Sequence, residues 1–283
     1  MGKIIDGKEI AQEIRRELKE QVSEFEEQGR KPGLAVVLVG DDPASQTYVN
    51  MKEKDAQEIG IYSEMYELKK DISQQELISL VEKLNNDQNI DGILVQLPLP
   101  DQINSTAVIE AIDPEKDVDG FHPMNTGRLF NKQENQLRFE PCTPIGIIEL
   151  IERHIEIDGK KAVIVGRSNI VGKPVAHLLL ARHATITICH SHTKSLKDET
   201  LQADILVAAV GYPELVKGNM VKEGATVIDV GINRVDDNLI GDVAFEEAKK
   251  RAEYITPVPG GVGPMTRAML MKNVIKARKN YGE

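Results

Sequence analysis

The sequence predicts an α/β protein of two domains, the second built on a parallel sheet. Three observations carry that expectation. Short apolar runs recur along the chain and alternate with segments of helical spacing. In the second half these runs are nearly continuous and close in glycine, as at Val165-Gly166, Val210-Gly211 and Val230-Gly231, the pattern of strands covered on both faces. Between the halves, Asp113 to Pro144 is rich in Asn, Gln, Pro and Gly, so the domain change falls there.

Composition narrows the classes. A chain of 283 residues, 41% hydrophobic and 28% charged, is that of a soluble globular protein large enough for two ordinary domains. The net charge of −10 lacks the basic footprint of a nucleic-acid binder. No apolar run is long enough to span a membrane, and the N-terminus, charged from Lys3 onward, lacks the apolar core of a signal peptide. Met1-Gly2 would permit myristoylation, but Asp6 stands where Ser or Thr is required. Cys142 and Cys189 have neither disulfide nor metal spacing and read as small buried packing residues. The expectation is a cytoplasmic protein with reduced thiols and no nucleic-acid or membrane partner.

The elements follow in order. Ile10, Ile14, Leu18 and Val22 form the stripe of a first helix, and Leu34 to Gly40 is a strand. A second helix runs from about Ala44 to Glu58, before a short strand near Tyr62 to Leu68. Ser73 caps a third helix, with Glu76 at the capping-box position and Leu77, Leu80, Val81 and Leu84 as its stripe. The apolar run from Ile90 is a buried strand stopped by Pro98 and Pro100, and Ile103 to Ile112 is helical. A helix after Thr143-Pro144 leads into the second half. The last segment, Pro264 to Lys279, is helical and is expected to pack back on the first domain.

In the second half, Ala162 to Val165 feeds Gly166-Arg167-Ser168-Asn169-Ile170-Val171-Gly172, and a helix with Val175, Leu178, Leu179 and Leu180 follows. Such a turn points backbone N–H groups and the positive end of a helix at one spot, a site for a pyrophosphate. The spacing is neither G-x-G-x-x-G nor a P-loop, which needs Ser or Thr where Pro174 stands. An ordinary strand-to-helix turn would look the same. The further runs Ala203 to Gly211 and Ala225 to Gly231 argue instead for a Rossmann-like sheet with ligands at its carboxyl edge. The strand Thr185 to Cys189 ends in His190-Ser191-His192-Thr193 with no carboxylate for a ribose, and Arg167 lies in the loop. That favours NADP over NAD.

Four other segments carry chemistry. In Ser45 to Lys54, read as helix, Ser45, Tyr48 and Lys52 share a face while Lys54 lies far round the cylinder, so geometry nominates Lys52. A ring beside an amine could stack a flat ligand and exchange a proton with it; a solvated face is the plain alternative. Gln96 ends its strand at the ligand-binding edge. In Lys116 to His122, Asp117 and Asp119 project to one side of an extended chain, and spacing does not choose between them. With His122 they imitate a metal site, but no second cluster supports one, and none is expected. Gly260-Gly261, held between Pro257, Pro259 and Pro264, allows close approach of backbone to a ligand.

Taken together, Tyr48-Val49-Asn50-Met51-Lys52, Val95 to Pro100, Lys116 to Phe121, Gly166 to Pro174 and Pro257 to Thr266 closely resemble, in order, the bifunctional methylenetetrahydrofolate dehydrogenase/methenyltetrahydrofolate cyclohydrolase family. The resemblance covers almost the whole chain, in the bacterial two-activity form. It implies a folate-binding domain (residues 1–142 with 265–283), an NADP-binding domain (143–264), a cleft between them and a homodimer. It also implies tetrahydrofolate derivatives as substrates. Tyr48 would stack on the folate, Asp119 would hydrogen-bond the pterin edge, and Gly260 and Gly261 would wall the pocket. Lys52 would move the proton in hydrolysis, assisted by Gln96. Gly166, Arg167, Ser168, Ser191 and Ile232 would contact NADP. Two rivals need fewer of these segments: another two-domain NADP oxidoreductase, such as a shikimate-dehydrogenase relative, and a non-enzymatic dinucleotide sensor, which has no use for Lys52.

Overall fold

The structure is a computed structural model and describes residues 1–131, 139–236 and 238–280. Part of the irregular stretch expected between Asp113 and Pro144 lies outside these residues. The first elements are β1 (Lys3–Ile4), α1 (Gly7–Glu27), β2 (Gly33–Val39), α2 (Pro43–Ile59), β3 (Tyr62–Leu68), α3 (Gln74–Asn85) and β4 (Gly92–Val95). Then come α4 (Ser105–Ala111), α5 (Pro123–Phe130), α6 (Cys142–Glu152), β5 (Lys161–Val165), α7 (Gly172–Ala181) and β6 (Thr185–Cys189). The rest are α8 (Leu196–Thr200), β7 (Ile205–Ala208), β8 (Thr226–Asp229), β9 (Asn233–Val235), β10 (Asn238–Ile240), α9 (Phe245–Ala248), β11 (Tyr254–Ile255) and α10 (Val262–Asn280).

The chain divides into two compact units. One comprises Glu13–Cys142 and Arg267–Glu283 and carries a three-stranded parallel sheet in the order β3-β2-β4. Every residue of the central strand β2 is buried, which is why Gly33 to Val39 reads as an unbroken apolar run. Ala35, Val37 and Val39 pack with Ile93 and Val95 against Leu77, Val81 and Leu84 of α3. The predicted capping box is formed: Glu76 N donates to Ser73 Oγ at 3.2 Å and Ser73 N to Glu76 Oε2 at 3.0 Å.

The other unit comprises Met1–Gln12 and Thr143–Thr266 and carries a six-stranded parallel sheet ordered β1-β11-β8-β7-β5-β6. Its core gathers Val163 and Val165, Leu206 and Ala208, and Val227. The division differs from the expected one at the N-terminus, where Met1–Gln12 joins the six-stranded unit. The cause is β1, whose Lys3 and Ile4 pair in parallel with Tyr254 and Ile255. From Arg267 onward α10 belongs to the three-stranded unit, two residues beyond the expected junction. The sequence did not announce the antiparallel ribbon β9–β10. No described helix is long and apolar enough to cross a membrane.

Candidate active site

In the three-stranded unit the site is built on α2. Asp42 caps the helix by accepting from Ser45 N at 2.8 Å, Pro43 opens it, and Gly60 ends it at φ 89°, where only glycine is unstrained. The buried stripe of α2 runs Ser45, Val49, Lys52, Ala56 and Ile59, the helical period of a core-facing surface, with Asp55 beside it. Lys52 therefore stands where an apolar residue would be expected and is only 3% exposed. Lys54 is exposed, as the spacing requires.

An amine so placed must be held by partners. Lys52 Nζ donates to Gln96 Oε1 at 3.0 Å and lies 4.6 Å from the centroid of the Tyr48 ring, one turn earlier. Gln96 continues β4, its N–H donating to Val37 O at 2.8 Å, and its Nε2 donates to Leu97 O at 2.6 Å, which fixes the amide. Burial lowers the Lys52 pKa; the Asp119 carboxylate opposes this and the Arg267 guanidinium adds to it. An amine that releases its proton more readily than usual can act as an acid and a base.

The choice between Asp117 and Asp119 is decided by the turn they sit in. Val118 N donates to Lys116 O and Gly120 N to Asp117 O, so the segment turns and is not extended. Asp117 is buried and accepts from Phe121 N, His122 N and Asn125 Nδ2 at 3.2, 2.8 and 2.9 Å. Burial pushes its carboxyl up to about 7 despite these donors. Asp117 thus ties the turn to α5, and His122 Nδ1 caps that helix by accepting from Met124 N at 3.1 Å. Asp119 is the partly exposed carboxylate that interacts with Lys52; burial raises its pKa, opposed by Lys52 and by the Cys142 thiol. Among the described residues no group of His, Cys, Asp or Glu is placed to hold a metal.

Cys142 corrects the sequence reading. It is buried, but it is more than filler: its thiol, beside the Asp119 carboxylate, donates to Val118 O at 3.3 Å, and Asn273 Nδ2 braces the same carbonyl at 2.8 Å. Sequence reasoning also missed Asp55, Arg15 and Arg267, a buried charge group beside Lys52. The charged Asp55 within an otherwise core-facing stripe was the available signal for it.

The six-stranded unit brings the remaining candidates to the carboxyl ends of adjacent strands β8, β7, β5 and β6. Gly166 follows β5 at φ 124°, and a Cβ there would lie 2.1 Å from Ala209 O. A Cβ on Gly172 would lie 2.4 Å from Gly166 O. Both glycines are required by close packing of backbone. Arg167 and Ser168 are exposed on the loop between them. Ser168 Oγ accepts from Val171 N at 3.1 Å and Gly172 N at 3.3 Å. The N–H groups opening α7 are thus partly satisfied by Ser168, where the sequence reading had them free for a ligand. Ser191 is exposed after β6, and Ile232, 59% exposed, follows β8.

Gly260 and Gly261 follow β11 and belong to this unit, not to the one that holds Lys52. Gly260 has φ 108° and its carbonyl accepts from Lys8 N at 3.0 Å; a Cβ on Gly261 would lie 2.7 Å from Pro257 O and from Thr256 Cβ. Gly261 is needed for the packing of the loop itself and Gly260 for its left-handed backbone.

The sequence matches two family models of the tetrahydrofolate dehydrogenase/cyclohydrolase: the catalytic domain over residues 5–119 and the NAD(P)-binding domain over residues 141–281. The chain belongs to this family. Among relatives of the dehydrogenase/cyclohydrolase family, the bifunctional protein FolD of Halothermothrix orenii is 72% identical over the full length of both chains. The bifunctional FolD methylenetetrahydrofolate dehydrogenase/cyclohydrolase of Campylobacter jejuni superposes with a TM-score of 0.97 at 49% identity, covering 99% of this chain and 100% of that one. The Trypanosoma brucei dehydrogenase-cyclohydrolase, solved with NADP and an inhibitor, superposes with a TM-score of 0.96 at 42% identity, covering 100% of this chain and 99% of that one.

Proposed function

We infer that the chain oxidises 5,10-methylenetetrahydrofolate to the 5,10-methenyl cation with NADP and hydrolyses that cation to 10-formyltetrahydrofolate. The observation that carries this reading is the buried Lys52 amine, held by Gln96 and the Tyr48 ring with its proton affinity depressed. NADP supplies the hydride acceptor when bound. Gly166, Arg167, Ser168, Ser191 and Ile232 bind it, with the Arg167 charge available for a ribose 2′-phosphate.

Hydride transfer needs two flat rings held in register, so few side chains are indispensable to it. Tyr48 supplies a stacking surface, and Asp119 accepts hydrogen bonds from the pterin edge. Gly260 and Gly261 let backbone approach the substrate. Hydrolysis begins from a cation that is already electrophilic, so the protein's task is to place water and manage protons. The neutral Lys52 amine takes a proton as water adds to the methenyl carbon and returns one to the ring nitrogen as the carbon–nitrogen bond breaks. Gln96 orients that amine. The substrate's own positive charge lowers the amine's proton affinity further.

The reading includes a homodimer in the cytoplasm. The free, buried Cys142 and Cys189 suit a reducing compartment, and light scattering measures the subunit number. A spectroscopic time course with methylenetetrahydrofolate and NADP tests the whole reading. The methenyl absorbance is expected to rise and then decay; no methenyl with either NADP or NAD refutes the assignment.

A further inference from the structure

Lys52 and Asp55 lie three positions apart on the buried side of α2. At that spacing an amine and a carboxylate on one helix are neighbours and pair readily. Here they take separate partners. Lys52 Nζ goes to Gln96 and the Tyr48 ring, whereas the Asp55 carboxylate lies 3.2 Å from Arg267 Nε on α10 and 4.0 Å from Arg15 Nε on α1. Arg15 Nε is also 3.5 Å from Glu58. The Arg15, Asp55 and Arg267 side chains are only 11%, 7% and 15% exposed. Asp55 Oδ2 and Arg15 Nη1 make no hydrogen bond among the described residues, so charge holds the group together more than directed bonding does.

We propose that Arg267, braced by Arg15, is a positioning residue for the hydrolytic step: it holds the Asp55 carboxylate away from Lys52 and so leaves the amine free to exchange its proton. The proposal rests on the reading of Lys52 as the proton-transfer group. A buried carboxylate deprived of its guanidinium must find another cation or take up a proton. Lys52 is the amine on the same stripe, one turn away. The groups bearing on Lys52 are Tyr48 on its own helix, Gln96 after β4, Asp119 and Cys142 beyond α4, and Arg267 on α10. Burial lowers the amine's pKa most, Asp119 opposes, and Arg267 assists. At Asp55, burial raises the carboxyl, Arg267 and Arg15 counter it, Glu58 adds to the rise and Lys54 opposes it.

The test is the pH profile of methenyltetrahydrofolate hydrolysis by the full chain, with dehydrogenase rate in the same preparations as the report of an intact fold. Arg267→Met should move the acid limb to higher pH by about one unit, the low end of what a newly adjacent opposite charge produces. Asp55→Asn should move it the other way, and Arg267→Lys should keep most of the wild-type profile. Above all, Arg267→Met combined with Asp55→Asn should bring the limb most of the way back, because the carboxylate that was to be held off is gone and only the smaller direct effect of the Arg267 charge on Lys52 is missing. An unmoved limb in Arg267→Met overturns the proposal. So does a limb displaced as far in the double variant as in Arg267→Met, the mark of an arginine that acts without Asp55. Should Arg267→Met not fold, Asp55→Asn alone decides: an unmoved limb is fatal. A wild-type chain without cyclohydrolase activity would instead remove the underlying reading of Lys52.

Discussion

Replacing Lys52 by methionine separates the two reactions. The methionine stem is unbranched and apolar, so it fills the place of the lysine stem between Val49 and Ala56, and only Gln96 Oε1 loses its donor. What disappears is the amine, with its 3.0 Å bond to Gln96 and its seat 4.6 Å from the Tyr48 centroid. Gln96 keeps its bond to Leu97 O, so the remaining wall is undisturbed. A positioned acid–base group contributes about 10²- to 10⁴-fold to a rate. At about 1.4 kcal/mol per factor of ten, that is roughly 3–5 kcal/mol of barrier. Hydride transfer needs no proton from this amine. The assay follows the methenyl absorbance with NADP present: Lys52→Met should let it rise and then persist, where the wild type clears it. Hydrolysis within about threefold of wild type, far less than a lost acid–base group costs, would refute the role given to Lys52. Equal loss of both activities in a folded variant would refute the separation of roles.

Three further outcomes are expected. Arg167→Ala should raise the KM for NADP by about 10- to 100-fold, the worth of a charge-assisted bond to phosphate, and change that for NAD little; equal losses would contradict the 2′-phosphate assignment. Gly166→Ala should lower thermal stability and NADP affinity together, because its Cβ would lie 2.1 Å from Ala209 O at φ 124°, a strain of about 1–3 kcal/mol or more; an unchanged melting curve would show that the loop adapts. The Asp117 carboxyl, pushed up to about 7, binds a proton more tightly folded than unfolded. Its contribution to stability is therefore complete below the unfolded value, near 3.8, and is lost as pH rises through about 7. Unfolding free energy measured against pH should fall across that window more steeply than in Asp117→Asn, and parallel slopes would count against the shift.

Much of this was legible in the sequence where the signal was local. The apolar run of β2, the Ser73–Glu76 box and the helical face shared by Tyr48 and Lys52 each reflect a period or a short spacing, and each is present as expected. What escaped depends on contacts between distant residues. Asp117 and Asp119 could be distinguished only by the donors that converge on one of them. Met1–Gln12 joins the six-stranded unit through a two-residue pairing with a strand some 250 positions later, which no local pattern encodes. Cys142 acquires a polar role only because Asp119 is beside it, and Arg267 because α10 brings it to Asp55. The Ser168 hydroxyl takes helix N–H groups that the glycine spacing alone would leave open.

Hydrolysis turns on the protonation of one amine. Nuclear magnetic resonance titration of the Lys52 side chain, labelled at Nζ, measures it directly. The depressed affinity requires Lys52 to titrate below the ordinary lysine value of 10.5 and in step with the acid limb of methenyltetrahydrofolate hydrolysis. Titration at the ordinary value, or a limb that follows some other group, would contradict it.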